Sequence, residues 1–306
     1  MLNKCCISIN AKCNLSCAYC HFYENNNIDM RSMQSLDLNK LLIILHNILT
    51  YAQKEHLQCF SVGFAGGGEP LLDWQILESA LSAIAKQDTQ KQLTFYIITN
   101  GILLNERLLE SYKKLKPFVK LVISLDGDEI THDTFRLDKQ GKGTFKRIMA
   151  NIALYEELFG AKPDINVSVS RLSLERKAFI LDFLLENNFI NITFTRLFHC
   201  SDKSLEISHN DFLEFVEFFN TQHFVIRNLT AKAQNKCDCI MYGYTCGVGY
   251  NNIFYCNDKV YPCMRYVEGD KYIGHYDDTL PTIINNMKPL QKPLSLLQGV
   301  CHYEKY

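Results

Sequence analysis

The sequence predicts a parallel α/β sheet curled into a partial barrel of about six strand–helix units, a (βα)6 arrangement, followed by a small cysteine-rich C-terminal module. Three observations predict it. Short apolar strands alternate with helix-period segments from Lys4 to Thr221, and strands are repeatedly ended by Gly, Asn or Asp. From about Thr230 the character changes, with Tyr, Asn, Gly and Cys dominating. Eight units close a TIM barrel, and the chain turns irregular before supplying them. The predicted division is residues 1–229 for the barrel and 230–306 for the module.

Lys4 to Asn10 reads as the first strand, with Cys6, Ile7 and Ile9 as its buried residues. Ser35 and Asp37 offer N-caps to a helix on which Leu38, Leu41, Leu42, Leu45, Ile48 and Leu49 recur at helical spacing. Gln58 to Phe64 is a second strand, ended by Gly66-Gly67-Gly68, and Asp73 caps a helix carrying Ile76, Leu77, Leu81 and Ile84. Leu93 to Thr99 is the third strand, ended by Asn100-Gly101, and Leu103 to Leu115 the next helix. Val119 to Leu125 is the fourth strand, ended by Asp126-Gly127, with a helix from Thr144 to Phe159. Ile165 to Ser170 and Ile192 to Phe198 are strands, each followed by a helix, Leu174 to Asn187 and His209 to Thr221. In the module, Ile253 to Tyr255 and Lys259 to Tyr261 flank the turn Asn257-Asp258. Asn25-Asn26-Asn27 is a polar loop. A module this short has too little apolar sequence for a good core, and metal staples small folds.

The 306 residues carry 32 Lys+Arg against 33 Asp+Glu, a net charge of −1. Phosphate contacts need a surplus of lysine and arginine, so a dedicated nucleic-acid binder is disfavoured, although a local basic patch is compatible. The longest purely aliphatic run is Leu41 to Leu45, far short of the ~20 residues of a membrane span. Met1 to Lys4 leads into Cys5 without an apolar segment, so no secretory signal is visible. The expectation is a cytoplasmic protein that uses neither membrane nor nucleic acid.

Thirteen cysteines are many for such a chain, and the odd number fits a secreted disulfide scaffold poorly. One group lies within the first 20 residues and another between 237 and 263, with only Cys59 and Cys200 between them. Cys13, Cys17 and Cys20 form C-x3-C-x2-C directly after the first strand. Thiolates are the soft ligands that iron–sulfur clusters require, and three on one loop can take three corners of a four-iron cluster. One iron then stays open for a substrate or cofactor. The competing reading is a zinc site with His21 as fourth ligand.

The triplet with Tyr19 inside it, followed at the second strand end by Gly67-Gly68-Glu69-Pro70, resembles the signature of the radical S-adenosylmethionine (SAM) enzymes. Ile98-Thr99-Asn100-Gly101, Ile123-Ser124-Leu125-Asp126-Gly127, His132-Asp133-Thr134-Phe135-Arg136 and Gly141 to Phe145 resemble the peptide- and protein-modifying subfamily with an extra C-terminal cluster domain, which includes the anaerobic sulfatase-maturating enzymes. The resemblance implies that Cys13, Cys17 and Cys20 hold the catalytic 4Fe-4S cluster, that Tyr19 lies against the adenine, and that Gly67, Gly68 and Glu69 meet the methionine ammonium. It makes Ser124 a candidate donor to the cofactor carboxylate and Arg136 another. The alternative for Arg136 is a salt bridge fixing its loop, with Asp133 as the partner. Reductive cleavage of S-adenosylmethionine would then yield a radical that takes hydrogen from the substrate.

At the other end, Cys246 leads through Asn257-Asp258 to Val260-Tyr261-Pro262-Cys263, similar to the truncated auxiliary-cluster domain known as SPASM/twitch. Cys239, Cys246, Cys263 and Cys301 would hold a second 4Fe-4S cluster, with Cys237 as competitor to Cys239; a structural zinc on four cysteines is the alternative. Asp258 replaces the glycine of the family's turn. Where the sulfatase-maturating enzymes have an Asp after the Tyr-Pro-Cys cysteine, this chain has Met264, which argues against oxidation of a sulfatase residue. The expected substrate is a ribosomally made peptide, with a flavodoxin or ferredoxin as electron donor. The triplet begins at residue 13, so leader recognition is expected to fall to the barrel or a partner. The tyrosines of the module (Tyr242, Tyr244, Tyr250, Tyr255, Tyr261, Tyr266) are candidate peptide contacts, or else merely shield the cluster. Cys200 and Cys256 are candidate hydrogen donors to a substrate radical, as an epimerase requires, and otherwise unused thiols. A radical dehydrogenase of a small molecule and a non-catalytic metal-binding protein are the alternative functions.

Overall fold

The computed structural model describes residues 2–24, 33–197, 200–233, 237–267, 270–297 and 299–302. The polar run Asn25–Asn27 and Phe198 lie outside them. Six strands run parallel and side by side in chain order: β1 (Lys4–Ile7), β3 (Phe60–Phe64), β4 (Leu93–Thr99), β5 (Val119–Ser124), β7 (Asp164–Val169) and β8 (Asn191–Arg196). A separate two-stranded ribbon pairs β2 (Leu15–Cys17) antiparallel with β6 (Arg136–Asp138).

One face of the sheet is buried under the helices, and the opposite face is only partly covered. Along β4 the pleat sends Leu93, Phe95 and Ile97 to the buried outer layer and alternates them with Thr94, Tyr96 and Ile98. The helix Leu38–Lys54 turns Leu41, Ile44, Leu45, Ile48 and Leu49 inward at helical spacing, and the Asp37 carboxylate caps it through the amide of Lys40. Ser35 is not a cap; its hydroxyl donates instead to Asp73 at 2.9 Å. Asp73 precedes the helix Trp74–Gln87 without capping it through its side chain, because its carboxylate is taken by Ser35 and by Asn10. The predicted helix over 103–115 shortens to Glu106–Tyr112 behind the Asn105 cap, and that over 174–187 breaks at Arg176 into Arg171–Glu175 and Lys177–Glu186.

The composition changes at residue 230, yet the sheet does not end there. β9 (Val225–Ile226) adds parallel to β8 at one edge. At the other edge, β12 (Asn252–Cys256) lies parallel to β1, matching Lys4 to Asn252 and Ile7 to Tyr255, so the last quarter of the chain flanks the first strand. β13 (Lys259–Tyr261) and β14 (Gly274–His275) follow antiparallel. The β12–β13 turn holds Asn257 and Asp258 at φ 49° and 63°, the left-handed pair that a two-residue hairpin demands and that Asn and Asp tolerate. A shorter pair, β10 (Cys237–Asp238) and β11 (Thr245–Cys246), stands apart from the main sheet. The sheet stays open, ending on β9 and β14. No helix among the described residues is long and apolar enough to cross a membrane.

Phe254 of β12 is fully buried, and a Cβ at Gly66 would come within 2.9 Å of its ring. Phe254→Ala is expected to lower stability by about 3–5 kcal/mol in a denaturant titration, the cost of an emptied core ring. A loss under about 1 kcal/mol would show that the hairpin is peripheral to the barrel.

Candidate active site

The site lies at the carboxyl ends of the parallel strands, where α/β folds place ligands. It is built from the last residues of the strands together with the loops that follow them. After β1 the chain passes Asn10, whose side-chain amide donates to the Glu69 carbonyl (3.2 Å) and to Asp73 (2.7 Å) while its oxygen accepts from the Lys12 amide (2.8 Å). The Lys12 carbonyl takes the Glu69 amide at 2.7 Å. The cysteine loop and the glycine turn are thus laced together. Gly68 is required there, because a Cβ would sit 2.5 Å from the Lys12 carbonyl oxygen and 2.0 Å from the Asn10 side chain.

Glu69 is buried, and its carboxylate accepts from the Thr99 hydroxyl (2.7 Å) and from the amides of Asn100 (2.8 Å) and Leu71 (3.0 Å). Burial raises its pKa above the ordinary carboxylate value, and these hydrogen bonds hold the rise down. The Asn100 amide group reaches on to Asn14 (2.7 Å) and toward the Cys13 sulfur (3.8 Å).

The other wall is carried by a buried ion pair. Arg136 donates through Nε to Asp126 at 2.8 Å and through Nη2 to the Ser168 hydroxyl at 3.1 Å. The salt-bridge partner is Asp126, not Asp133. The Asp133 carboxylate instead accepts from the amides of Thr144 and Phe145, both at 2.8 Å, and starts the helix Phe145–Phe159. Asp126 also takes the Ser168 amide (2.9 Å) and the Tyr19 hydroxyl. Burial opposes its ionisation, but Arg136 and His132 outweigh that and hold its carboxyl below the usual range. The pairing of Cys17 with Arg136 across β2 and β6 brings this arginine to the cysteine loop. Its guanidinium lies 5.4 Å from the centre of the Tyr19 ring, which also packs on Phe135.

Cys13, Cys17, Tyr19, Cys20, Gly67, Gly68, Glu69, Ser124 and Arg136 all line one cavity of about 230 Å³, with His21, the zinc candidate, also on its wall. Sequence reasoning missed Ser168 and Thr195, which line it too. Their signal was a polar residue near the carboxyl end of an otherwise apolar strand. Asp126 and His132, read only as parts of motifs, are the buried frame. Arg265 reaches the cavity from the C-terminal module, and Met264 beside it packs against the core.

Of the candidate hydrogen donors, Cys200 is buried with Tyr19, Phe135 and Leu197 against the cavity wall. Cys256 is buried elsewhere, its sulfur 3.7 Å from that of Met33, and does not line the cavity. Cys6 points its sulfur at the Tyr96 hydroxyl (3.2 Å), and Cys5 is wholly buried. Tyr255 and Tyr261 are core residues, and the Tyr244 and Tyr250 hydroxyls donate to the carbonyls of Arg227 and Lys292. These four tyrosines are committed to the fold.

Cys239, Cys246 and Cys301 all act electrostatically on Cys263. Burial first, then these neighbours, push the Cys263 thiol well up, while the Arg265 amide, 3.4 Å from its sulfur, pulls it down. The side chain of Cys237 lies outside the described residues. Among the described residues no three His, Cys, Asp or Glu side chains close on a single ion; a cubane cluster takes its thiolates at separate corners. In the first group, burial pushes Cys17 up to about 12 against the pull of Arg136. Neighbouring cysteines are a soft donor set, and both groups fit an iron–sulfur cluster as far as their chemistry goes, as they would a zinc ion.

Residues 7–167 match the model of the radical SAM superfamily, and the chain belongs to that superfamily. It is 27% identical over 296 residues to a cysteine-type anaerobic sulfatase-maturating enzyme of Clostridium novyi, covering 88% of this chain and 75% of that one. Its fold matches that of native anSMEcpe with bound AdoMet and Cp18Cys peptide at a TM-score of 0.75 and 20% identity, covering 94% of this chain and 83% of the other. It also matches Streptococcus suis SuiB bound to S-adenosylmethionine at a TM-score of 0.69 and 19% identity, covering all of this chain and 73% of that one.

His132 ties the frame together. Its Nδ1 accepts the Asp126 amide (3.2 Å), which assigns the proton to Nε2; this donates to the Thr144 hydroxyl (3.1 Å), which donates to the Arg136 carbonyl (2.7 Å). Burial lowers its pKa from 6.5 to about 4. The folded value lies below the unfolded one, so stability is full above about pH 6.5 and is lost as pH falls toward 4. Across that window the chain is expected to lose about 3 kcal/mol more than His132→Asn does, read by urea titration at each pH. Equal losses would refute the assignment.

Proposed function

We propose that this chain reductively cleaves S-adenosylmethionine and takes a hydrogen atom from a peptide. The observation that carries the reading is the convergence of three thiols, the Gly66–Glu69 turn, Ser124 and the Arg136–Asp126 pair on one cavity at the strand ends. Bound there, a four-iron cluster and S-adenosylmethionine would supply a carbon radical able to abstract hydrogen.

The chain's residues bind and orient. Cys13, Cys17 and Cys20 would hold the catalytic cluster. The Glu69 carboxylate is already engaged by three protein donors, so it fixes the turn, and the turn's backbone carbonyls accept from the ammonium. Ser124 and Arg136 donate to the carboxylate of the cofactor, with Asp126 and Ser168 holding the guanidinium in place. Tyr19 is the aromatic wall beside the adenine, aimed by its hydroxyl bond to Asp126. Cys239, Cys246, Cys263 and Cys301 hold the auxiliary cluster, and the barrel and the C-terminal module form the two units proposed for residues 1–229 and 230–306.

A polypeptide substrate is supported by the relative named for maturing a sulfatase and by the peptide bound in the similar solved structure. Met264 supplies no proton acceptor, so the reaction proposed is another peptide modification: a cross-link, thioether formation, oxidation or epimerisation. For epimerisation, Cys200 is the better placed of the two thiols.

Replacing Cys13, Cys17 and Cys20 together by Ala is expected to abolish 5′-deoxyadenosine formation under dithionite while about four irons per chain remain on the auxiliary site. Undiminished cleavage would refute the catalytic assignment, and zinc or no metal would refute the auxiliary one. Mass spectrometry of short peptides encoded beside the gene is expected to show either a loss of two hydrogens or one deuterium gained from heavy water. Oxidation of a free sugar or amino acid with every such peptide unaltered would replace the peptide reading by the dehydrogenase.

A further inference from the structure

We propose that Arg265 selects the substrate: it pairs with a carboxylate that the peptide carries into the cavity. The proposal rests on the functional reading above and names a property of the peptide that the reading leaves open.

Arg265 is the one residue of the C-terminal module in the described lining of the cavity; the rest comes from residues 13 to 197. A tight turn puts it there. Its amide lies 3.4 Å from the Cys263 sulfur, and the Tyr266 amide donates to the Cys263 carbonyl at 3.1 Å. Within that turn Met264 packs against the core while Arg265 goes to the cavity. Of the two positions after Cys263, the second is therefore the one that reaches the chemistry.

The side chain is half-buried and held along its length. Nε donates to the Met241 sulfur at 2.9 Å, and Met241 is itself buried, two residues beyond Cys239. A thioether is a weak, uncharged acceptor, so this contact orients the guanidinium and neutralises none of its charge.

The charges of the cavity decide what such a cation meets. Apart from its three thiols, the lining holds two arginines, His21 and one carboxylate. That carboxylate, Glu69, is taken by Thr99, Asn100 and Leu71, and Arg136 is bound to Asp126. The cofactor brings one carboxylate of its own, to which the reading above assigns Ser124 and Arg136. The next anion to enter comes from the substrate, and Arg265 is the cation that the module contributes. A guanidinium meets a carboxylate with a planar fork, two N–H bonds at once, and the attraction grows where water is thin. The same charge turns away a lysine or arginine at that position of the peptide. An Asp or Glu side chain and the free C-terminus of a peptide both supply the group.

The test uses the metal-loaded protein with S-adenosylmethionine and no reductant. The probe is a positional-scanning library of synthetic octapeptides, made once with free and once with amidated C-termini, and retained peptides are read by mass spectrometry. The unsubstituted protein is expected to enrich Asp or Glu over Asn or Gln at one position by about tenfold or more, or the free C-terminus over the amide by the same factor. Which of the two is enriched identifies the source of the carboxylate. In Arg265→Gln the preference falls below about twofold, in Arg265→Lys part of it remains, and in Arg265→Glu it passes to Lys or Arg. Iron content stays at the unsubstituted level in these variants, which shows Cys263 still in place. Retention with no preference for a carboxylate, or a preference that survives Arg265→Gln, overturns the proposal. Loss of iron in Arg265→Gln and Arg265→Lys alike also overturns it, by making the residue a support of Cys263. If no peptide is retained in either form of the library, the peptide reading itself falls, a result distinct from retention that ignores charge.

Discussion

The site depends on one buried ion pair. Asp126 and Arg136 come from the end of β5 and the start of β6, and both are almost wholly removed from water. Two bare charges could not stay there. They are tolerable because both oxygens of the carboxylate are engaged, by Arg136, Tyr19 and Ser168, and because the guanidinium finds a second acceptor in Ser168. The pair is worth less as stability than as geometry. It fixes the hydroxyl of Tyr19 and, through the β2–β6 ribbon, the flank of the cysteine loop. His132 then sets the spacing of its two backbone segments by holding one from each ring nitrogen, the second by way of Thr144.

The opposite wall uses neutral and half-neutral groups for the same end. Asn10, Lys12 and Gly68 bring two backbones to a separation that no side chain could share, and Glu69 turns inward to bind the end of the next strand. The two clamps meet at the three thiols. That arrangement explains why the loop keeps its place without a regular strand of any length: β2 is only three residues long. It also makes one wall serve two cavities.

The strand–helix alternation was legible because each strand is a short apolar run ended by Gly, Asn or Asp, and all six predicted strands appear in chain order. Helix ends were less legible. Ser35 and Asp73 look like caps but spend their polar atoms on each other and on Asn10, a choice made by tertiary packing rather than by local sequence. The metal-ligand candidates stood out because thiol spacing is a short-range pattern. Asp126 as the partner of Arg136 was harder to see, since Asp133 is nearer in sequence, and only the helix start at Phe145 shows that Asp133 is already engaged. The place of the C-terminal hairpin was not legible at all. Parallel pairing of β12 with β1 links residues at opposite ends of the chain, and no periodicity reports that.

That last pairing bears on how the molecule comes into being. β1 is made before the other strands of the sheet, and the strand that covers its outer edge is made only after residue 250. Until then a short strand, apolar but for Lys4, waits with one edge open, the kind of long-range closure that slows folding and invites wrong partners. The hairpin that seals this edge also carries Cys263, while the loop that follows β1 carries Cys13. Both cysteine groups therefore take their final setting from one late event, so any metal they hold would be loaded after synthesis of the chain rather than during it.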